Sequence, residues 1–310
     1  MTVRRRGVWW VGPFFAVIIF FVLFTKTDVH PKSPAHDREK IKVFVSILPQ
    51  AYFVERVGGE RVDAYVMVGP GHSPATYEPM PKQMAELSKA RLYFRIGVPF
   101  ENVWMARVSK ENPNMKVIDT RRGIELFAAK PSHHAKSEQH MEGHGETRGL
   151  QNPHIWTSLR LVKIQAQNIR DALIEEDPNH RDYYQSNLEA FHDDLDKLDA
   201  EITEILKSLN ARKFMVFHPA WGYFARDYGL EEIPVEMEGK EPSAKTLACL
   251  IECAIGHGIR VVFVQQQFSK KSAEVVARTI GGRVIKIDPL AKDYLNNMRK
   301  IAETFGRVMQ

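Results

Sequence analysis

"RKFMVFHPAWGYFARDYGLEEIPVEM" (residues 212–237) decides the fold. "KFMVF" is an apolar run of strand length. "PAWGYFARDYG" places its apolar residues at helical spacing and stops at a glycine, and "EEIPVEM" returns to a strand. Strand, helix and strand in succession describe a crossover unit, whose two strands must run parallel. The same alternation continues to the C-terminus through "SAKTLACLIECAIGHG", "RVVFVQ", "SKKSAEVVARTIGG", "RVIKID" and "KDYLNNMRKIAETFGRVM".

Toward the N-terminus the pattern appears a second time. "IKVFVSIL" (41–48) has the continuous apolar character of a buried strand, "AYFVERVGG" is a short helix ended by glycine, and "RVDAYVMVG" is a second strand. "PKQMAELSKA" is a helix with Met84 and Leu87 facing inward, and it leads into a third strand, "RLYFRIG". Between the two alternating regions, residues 159–209 are helical. "SLRLVKIQAQNIRDALIEED" forms one amphipathic helix, and Pro178 opens another. In that second helix Leu188, Phe191, Leu195, Leu198, Ile202, Ile205 and Leu209 recur at steps of three and four. A helix of about 30 residues is about 45 Å long, more than one small domain needs. One apolar seam of that length suits a coiled coil, and it equally suits a helix that joins two lobes. The expected fold is α/β: two Rossmann-like lobes, each a parallel sheet flanked by helices, with a long linking helix between them. The expected boundaries are 41–177 for the first lobe, 178–210 for the linking helix and 211–310 for the second lobe. A chain of 310 residues has room for one long or two ordinary domains.

The first 40 residues read differently. Arg4, Arg5 and Arg6 precede "GVWWVGPFFAVIIFFVLF", which carries no charge before Lys26. A basic segment followed by an apolar one is the pattern of an export signal, and about 18 apolar residues reach the lower limit for spanning a bilayer. "TKTDVHPKSPA" offers no small-x-small cleavage site and no cysteine for a lipid, so an uncleaved anchor is favoured over a cleaved signal peptide. The arginines would hold the N-terminus in the cytoplasm and the chain after Lys26 outside it. "HPKSPAHDREK" then reads as a polar tether.

The net charge of +5 is small for this length and includes the three N-terminal arginines. No basic patch interleaves with aromatics, so no nucleic-acid partner is expected. Cys249 and Cys253 are the only cysteines. They stand one helical turn apart, where a disulfide fits poorly, and read as small apolar residues. "KPSHHAKSEQHMEGHGETRG" (130–149) is nearly devoid of apolar residues but contains His133, His134, His140 and His144. Residues 131–148 are expected to be a mobile histidine-rich loop with weak, labile metal capture.

Four other residues stand out as candidate ligands. His72 lies just past "VDAYVMV", His218 follows "KFMVF", and Asp288 closes "RVIKI". In parallel sheets functional groups gather outside the carboxyl ends of the strands, and these three occupy that position. His154, in "NPHIW", sits in the loop that enters the helical region. Three imidazoles and one carboxylate form a reasonable tetrahedral donor set for a divalent ion of intermediate softness.

"GHSPATYEPMPKQMAELSKARLYFRIGVPFENVW", "NPHIWTSL", "VFHPAWGYFARDYGL", "EPSAKTLACLIE" and "IDPLAKDYLNNM" resemble, in order, the signature segments of the extracytoplasmic zinc and manganese substrate-binding proteins of ABC transporters. The resemblance covers roughly residues 41–310. It implies two rigid α/β lobes, a long linking helix and one metal ion held by residues of both lobes. His154, His218 and Asp288 match that family's second, third and fourth ligands. The first does not match: the family pattern resembles G-x-x-P-H-T-Y-E-P, and Ala75 stands where its histidine would be. Either the loop bends so that His72 reaches the same corner, or the first-lobe ligand is lost. The former is expected, because three ligands and an open position suit catalysis better than capture. Glu78 is a reserve ligand, although a carboxylate at a helix start needs no metal to explain it.

The expected function is capture of a divalent metal ion outside the cytoplasm and its delivery to an ABC permease in the membrane, by a monomeric receptor with no catalytic residues. The imidazole content favours zinc, with manganese as the alternative. A metal-dependent hydrolase is the rival from another class. It would need a general base beside an open metal position, and Glu236, Glu238 and Glu241 are the carboxylates to watch. A surface adhesin with a structural metal is a third reading.

Overall fold

A computed structural model describes residues 1–2, 7, 9–10, 40–128, 151–236, 242–268 and 270–309. Most of the apolar N-terminal run, the histidine-rich segment 131–148, Glu238 and Glu241 lie outside the described residues. Glu39–Gln310 form one compact unit and Met1–Arg38 another. Among the described residues no helix is long and apolar enough to cross a membrane.

The first lobe is built on β1 (Ile41–Ile47), β2 (Val62–Val68), β3 (Leu92–Arg95) and β4 (Lys116–Asp119), in the order β2-β1-β3-β4 with every pairing parallel. Val43 pairs with Ala64 on one side and Leu92 on the other. From Val43 to Ile47 β1 is buried throughout, as a central parallel strand covered on both faces must be. Helices α1 (Leu48–Gly58), α2 (Pro81–Leu87) and α3 (Pro99–Glu111) complete the lobe. Patterning did not mark α3 or β4. The whole of β4 is half-buried or exposed, so it carries little apolar signal.

The second lobe repeats this topology with β5 (Lys213–Val216), β6 (Glu231–Pro234), β7 (Val261–Val264) and β8 (Arg283–Lys286), ordered β6-β5-β7-β8 and again all parallel. α6 (Gly222–Asp227), α7 (Ala244–Gly256), α8 (Lys270–Thr279) and α9 (Tyr294–Val308) accompany them. Side chains alternate across this sheet, as the strand period requires. Phe214, Val216, Val261 and Phe263 join the large core toward α9, whereas Met215, Phe217, Val262 and Val264 join a smaller core that includes Leu250 of α7 and Ala273 and Val276 of α8. Phe305 of α9 lies 4.9 Å from Phe214 and 4.5 Å from Phe263, ring to ring.

Helices α4 (Leu159–Glu176) and α5 (Arg181–Lys207) stand between the two sheets in sequence. Pro178–His180 forms a 3-10 turn, and α5 starts after it. Its buried seam is Tyr184, Leu188, Phe191, Leu195, Leu198, Ile202 and Leu206. No second chain is needed to cover it, because α1, α4 and α9 pack against it. Tyr52 and Phe53 of α1 each place a ring 6.0 Å from Phe191, and Phe53 meets Tyr294 of α9 edge-on at 4.9 Å. One apolar core therefore runs from the first lobe through α5 into the second, and the architecture is two α/β lobes joined by a linking helix. Asp177 secures the turn between α4 and α5, accepting hydrogen bonds from Arg61 Nε at 2.8 Å, Tyr184 OH at 2.9 Å and His180 Nδ1 at 2.8 Å.

Candidate metal centre

In each sheet the chain turns from one side of the first strand to the other, so a topological switch point lies between β1 and β3 and another between β5 and β7. Crevices at the carboxyl ends of strands at such points are where α/β sheets bind ligands. His218 stands two residues past β5, and Gln265 is the first residue past β7. The Gln265 side chain, 1% exposed, clamps the backbone of His218 from both sides. It accepts the His218 N–H at 3.2 Å and donates to the His218 carbonyl at 2.6 Å. Phe268 stacks on the imidazole at 4.7 Å and 21°.

His154 arrives from a different part of the chain but is fastened to the second lobe. Tyr223 OH donates to the Asn152 carbonyl at 2.9 Å, Trp156 Nε1 to the Pro289 carbonyl at 2.8 Å, and Tyr294 OH to the Trp156 carbonyl at 2.8 Å. Ser158 caps α4 by accepting the Leu161 N–H, and its hydroxyl donates to Asp227. His154 itself lies beside the Trp156 ring, 5.1 Å centroid to centroid.

These anchors bring His154 Nε2 to 3.2 Å from His218 Nε2. The tautomers follow from the outer nitrogens. Asn152 Oδ1 accepts the His154 backbone N–H at 3.0 Å, which orients its amide, and so must also accept from His154 Nδ1 at 2.8 Å. His218 Nδ1 donates to the Glu236 carboxylate at 2.5 Å. With both outer nitrogens protonated, both Nε2 lone pairs point at one another, an arrangement that calls for a cation between them. Burial, and then the repulsion of His218, push the His154 pKa well below the ordinary histidine range, which keeps that nitrogen a free donor. At zinc–nitrogen bonds of about 2.05 Å, tetrahedral geometry separates two ligand nitrogens by about 3.3 Å. The observed 3.2 Å meets that requirement.

The other two expected ligands are not gathered with the pair. Among the described residues no three His, Cys, Asp or Glu side chains come together in a metal-holding group. His72 is exposed in the loop after β2, its ring 5.7 Å from that of Tyr77. Tyr77 in turn meets Phe100 edge-on at 5.8 Å, and the Phe100 N–H donates to the Pro74 carbonyl at 3.1 Å. Next to Phe100 in α3 is a buried polar group that sequence reading missed. Glu101, fully buried, accepts Ser46 Oγ at 2.6 Å, the Ile96 and Gly97 N–H groups at 2.8 Å each and Arg95 Nε at 3.2 Å. Gly97 turns there with φ 88°, and a side chain on it would run into Arg121. No motif announces Glu101, because an acidic residue at the start of a helix is ordinary. Asp288 lies just past β8, half-buried, with Oδ1 accepting the Leu290 N–H at 2.9 Å. Glu78 is exposed.

Glu236 was a candidate general base, and its position is informative. It bonds the nitrogen of His218 that faces away from His154, so it supports the imidazole from behind.

Fold and donors together define a two-lobed α/β protein with an imidazole pair at the ligand-binding end of one sheet. The sequence profile described as "ZnuA: Zinc-uptake complex component A periplasmic" matches residues 43–308, and the chain belongs to that family. A crystal structure of ZnuA superposes with a TM-score of 0.80 at 42% identity, covering 88% of this chain and all of that one. A 138-173 deletion mutant of ZnuA with zinc bound gives 0.79 at 42% identity, covering 88% of this chain and 99% of that one. The high-affinity zinc uptake system protein ZnuA of Bacillus subtilis (strain 168) is 26% identical over 286 residues, which span 91% of this chain and 88% of that protein.

Proposed function

We propose that this chain is an extracytoplasmic receptor that captures zinc as cargo and delivers it to an ABC permease. The observation that carries this reading is the pair of lone-pair-bearing nitrogens, His154 Nε2 and His218 Nε2, 3.2 Å apart at a switch point. In this reading the ion docks first on that pair, which the hydrogen bonds around residues 152–158 hold to the second lobe. Asp288, from the loop after β8, and His72, from the loop after β2, complete a four-ligand shell. A closed shell of protein ligands suits capture and release, because it leaves no position for an activated water. Glu236 supports the same reading: a base serving a metal-bound water would stand on the Nε2 side. Imidazole donors favour zinc over manganese. The basic and apolar N-terminal segment would tether the receptor, as a monomer, at the membrane that holds the permease.

Calorimetry on His154→Ala and His218→Ala tests the site. Each is expected to lose the tightest zinc equivalent by at least about a hundredfold, since a three-ligand remnant lacks one strong donor, while circular dichroism stays that of the parent. Unchanged binding in both variants would remove the site.

A further inference from the structure

Each imidazole of the pair is held through its outer nitrogen, but by different partners. His154 donates to a neutral amide, Asn152 Oδ1 at 2.8 Å, and His218 to a carboxylate, Glu236 Oε1 at 2.5 Å. Glu236 is 3% exposed. We propose that Glu236 is the positioning residue of this centre: it locks the tautomer of His218 and lends its Nε2 the greater donor strength, so that His218 is the dominant anchor for the divalent cation. This rests on the reading of the pair as a metal site.

Three observations carry it. First, the backbone puts Glu236 where it stands. The parallel pairing of β5 and β6 continues past the end of β6, with Val235 N–H donating to the Val216 carbonyl at 2.8 Å and Glu236 N–H to the Phe217 carbonyl at 3.0 Å. The strand register thus delivers a carboxylate beside His218. Second, His218 is fixed in every other respect: Gln265 holds its backbone and Phe268 its ring plane. What remains is a half-turn flip of the ring within that plane and the choice of protonated nitrogen, and the bond to Glu236 settles both. Third, a buried carboxylate is costly without compensating positive charge. Among the described residues this imidazole is its only side-chain hydrogen-bond partner, and a divalent ion on the far nitrogen places the balancing charge one ring away. Carboxylate–histidine–metal arrays of this kind orient the ring and raise ligand basicity. The neutral Asn152 gives His154 the same orientation without the charge.

The test is competition calorimetry with a zinc chelator on the full chain and on Glu236→Gln, Glu236→Ala, Glu236→Asp and His218→Ala. It is combined with the proton and nitrogen NMR signals of the His218 ring in the zinc-loaded proteins. Gln can accept the Nδ1–H but carries no charge, so Glu236→Gln is expected to weaken zinc binding about 10- to 100-fold and to move the Nδ1–H resonance upfield. Glu236→Asp, which restores the charge, should recover part of the affinity and most of the downfield shift. Should Glu236→Gln or Glu236→Ala fold poorly, Glu236→Asp decides through that resonance. Loss of most of the downfield shift of the His218 Nδ1–H in Glu236→Asp, or zinc binding within about twofold of the parent in Glu236→Gln, overturns the proposal. In either case a large loss in His218→Ala leaves the metal site standing, whereas parent-like binding in His218→Ala refutes the site itself.

Discussion

Replacing Trp156 by phenylalanine probes the bonds that fasten the His154 segment to the second lobe. Trp156 is 2% exposed, its indole N–H donates to the buried Pro289 carbonyl at 2.8 Å, and its ring flanks His154. The substitution removes one donor and leaves the backbone acceptor for Tyr294 OH in place. A buried carbonyl deprived of its partner costs about 1–3 kcal/mol, and the smaller ring adds roughly 1 kcal/mol of cavity. The sum is about 2–4 kcal/mol. For a folded unit of this size that lowers Tm by roughly 3–7 °C, measurable by circular dichroism without metal. Because Pro289 directly follows Asp288, the lost bond also loosens the link between two proposed ligands. Zinc affinity should then fall about tenfold, equivalent to about 1.4 kcal/mol, by calorimetry. A Tm within ~1 °C of the parent together with unchanged affinity would show that this bond does not tie the segment down.

Other perturbations test separate parts of the molecule. Burial opposes ionisation of Asp177, but hydrogen bonds from His180, Arg61 and Tyr184 and the charge of Arg61 outweigh it, so its pKa lies below the ordinary aspartate value. Its stabilisation is therefore full above about pH 4 and is lost as pH falls through the lowered pKa. Asp177→Asn should cost about 1–3 kcal/mol at neutral pH, and denaturant melts should show that gap closing toward pH 2. A gap independent of pH would contradict the assignment. His72→Ala is expected to weaken zinc binding at least tenfold, and adding Ala75→His, which restores the related pattern, should recover it. Failure of both changes to alter binding would exclude the 69–79 loop from the site. Deleting residues 131–148 should remove only weaker, additional zinc equivalents. Loss of the tightest equivalent on that deletion would reverse the assignment of the site.

Periodicity along the chain was enough to place most elements. The apolar runs of β1, β5 and β7 are legible because both faces of a central parallel strand are buried. The seam of α5 was visible at steps of three and four, but its role was not. The same seam could have faced a second chain, and only the packing of α1, α4 and α9 shows that it is covered from within. The edge strand β4 escaped because a half-buried strand of four residues leaves almost no pattern.

For the candidate centre, strand-end position and residue type singled out His218, and residue type in the loop entering the helical region singled out His154, since these depend on nothing but local sequence. The convergence of their Nε2 atoms across 64 residues of chain was decided by tertiary structure. So were the buried carboxylate of Glu236 behind one ring, the amide of Asn152 behind the other and the contact of the His72 loop with Phe100. The physical reason is that periodicity records which side of an element is buried. Whether two lone pairs meet depends on the register between strands and on hydrogen bonds closing loops from distant parts of the chain, and those are properties of the packed whole.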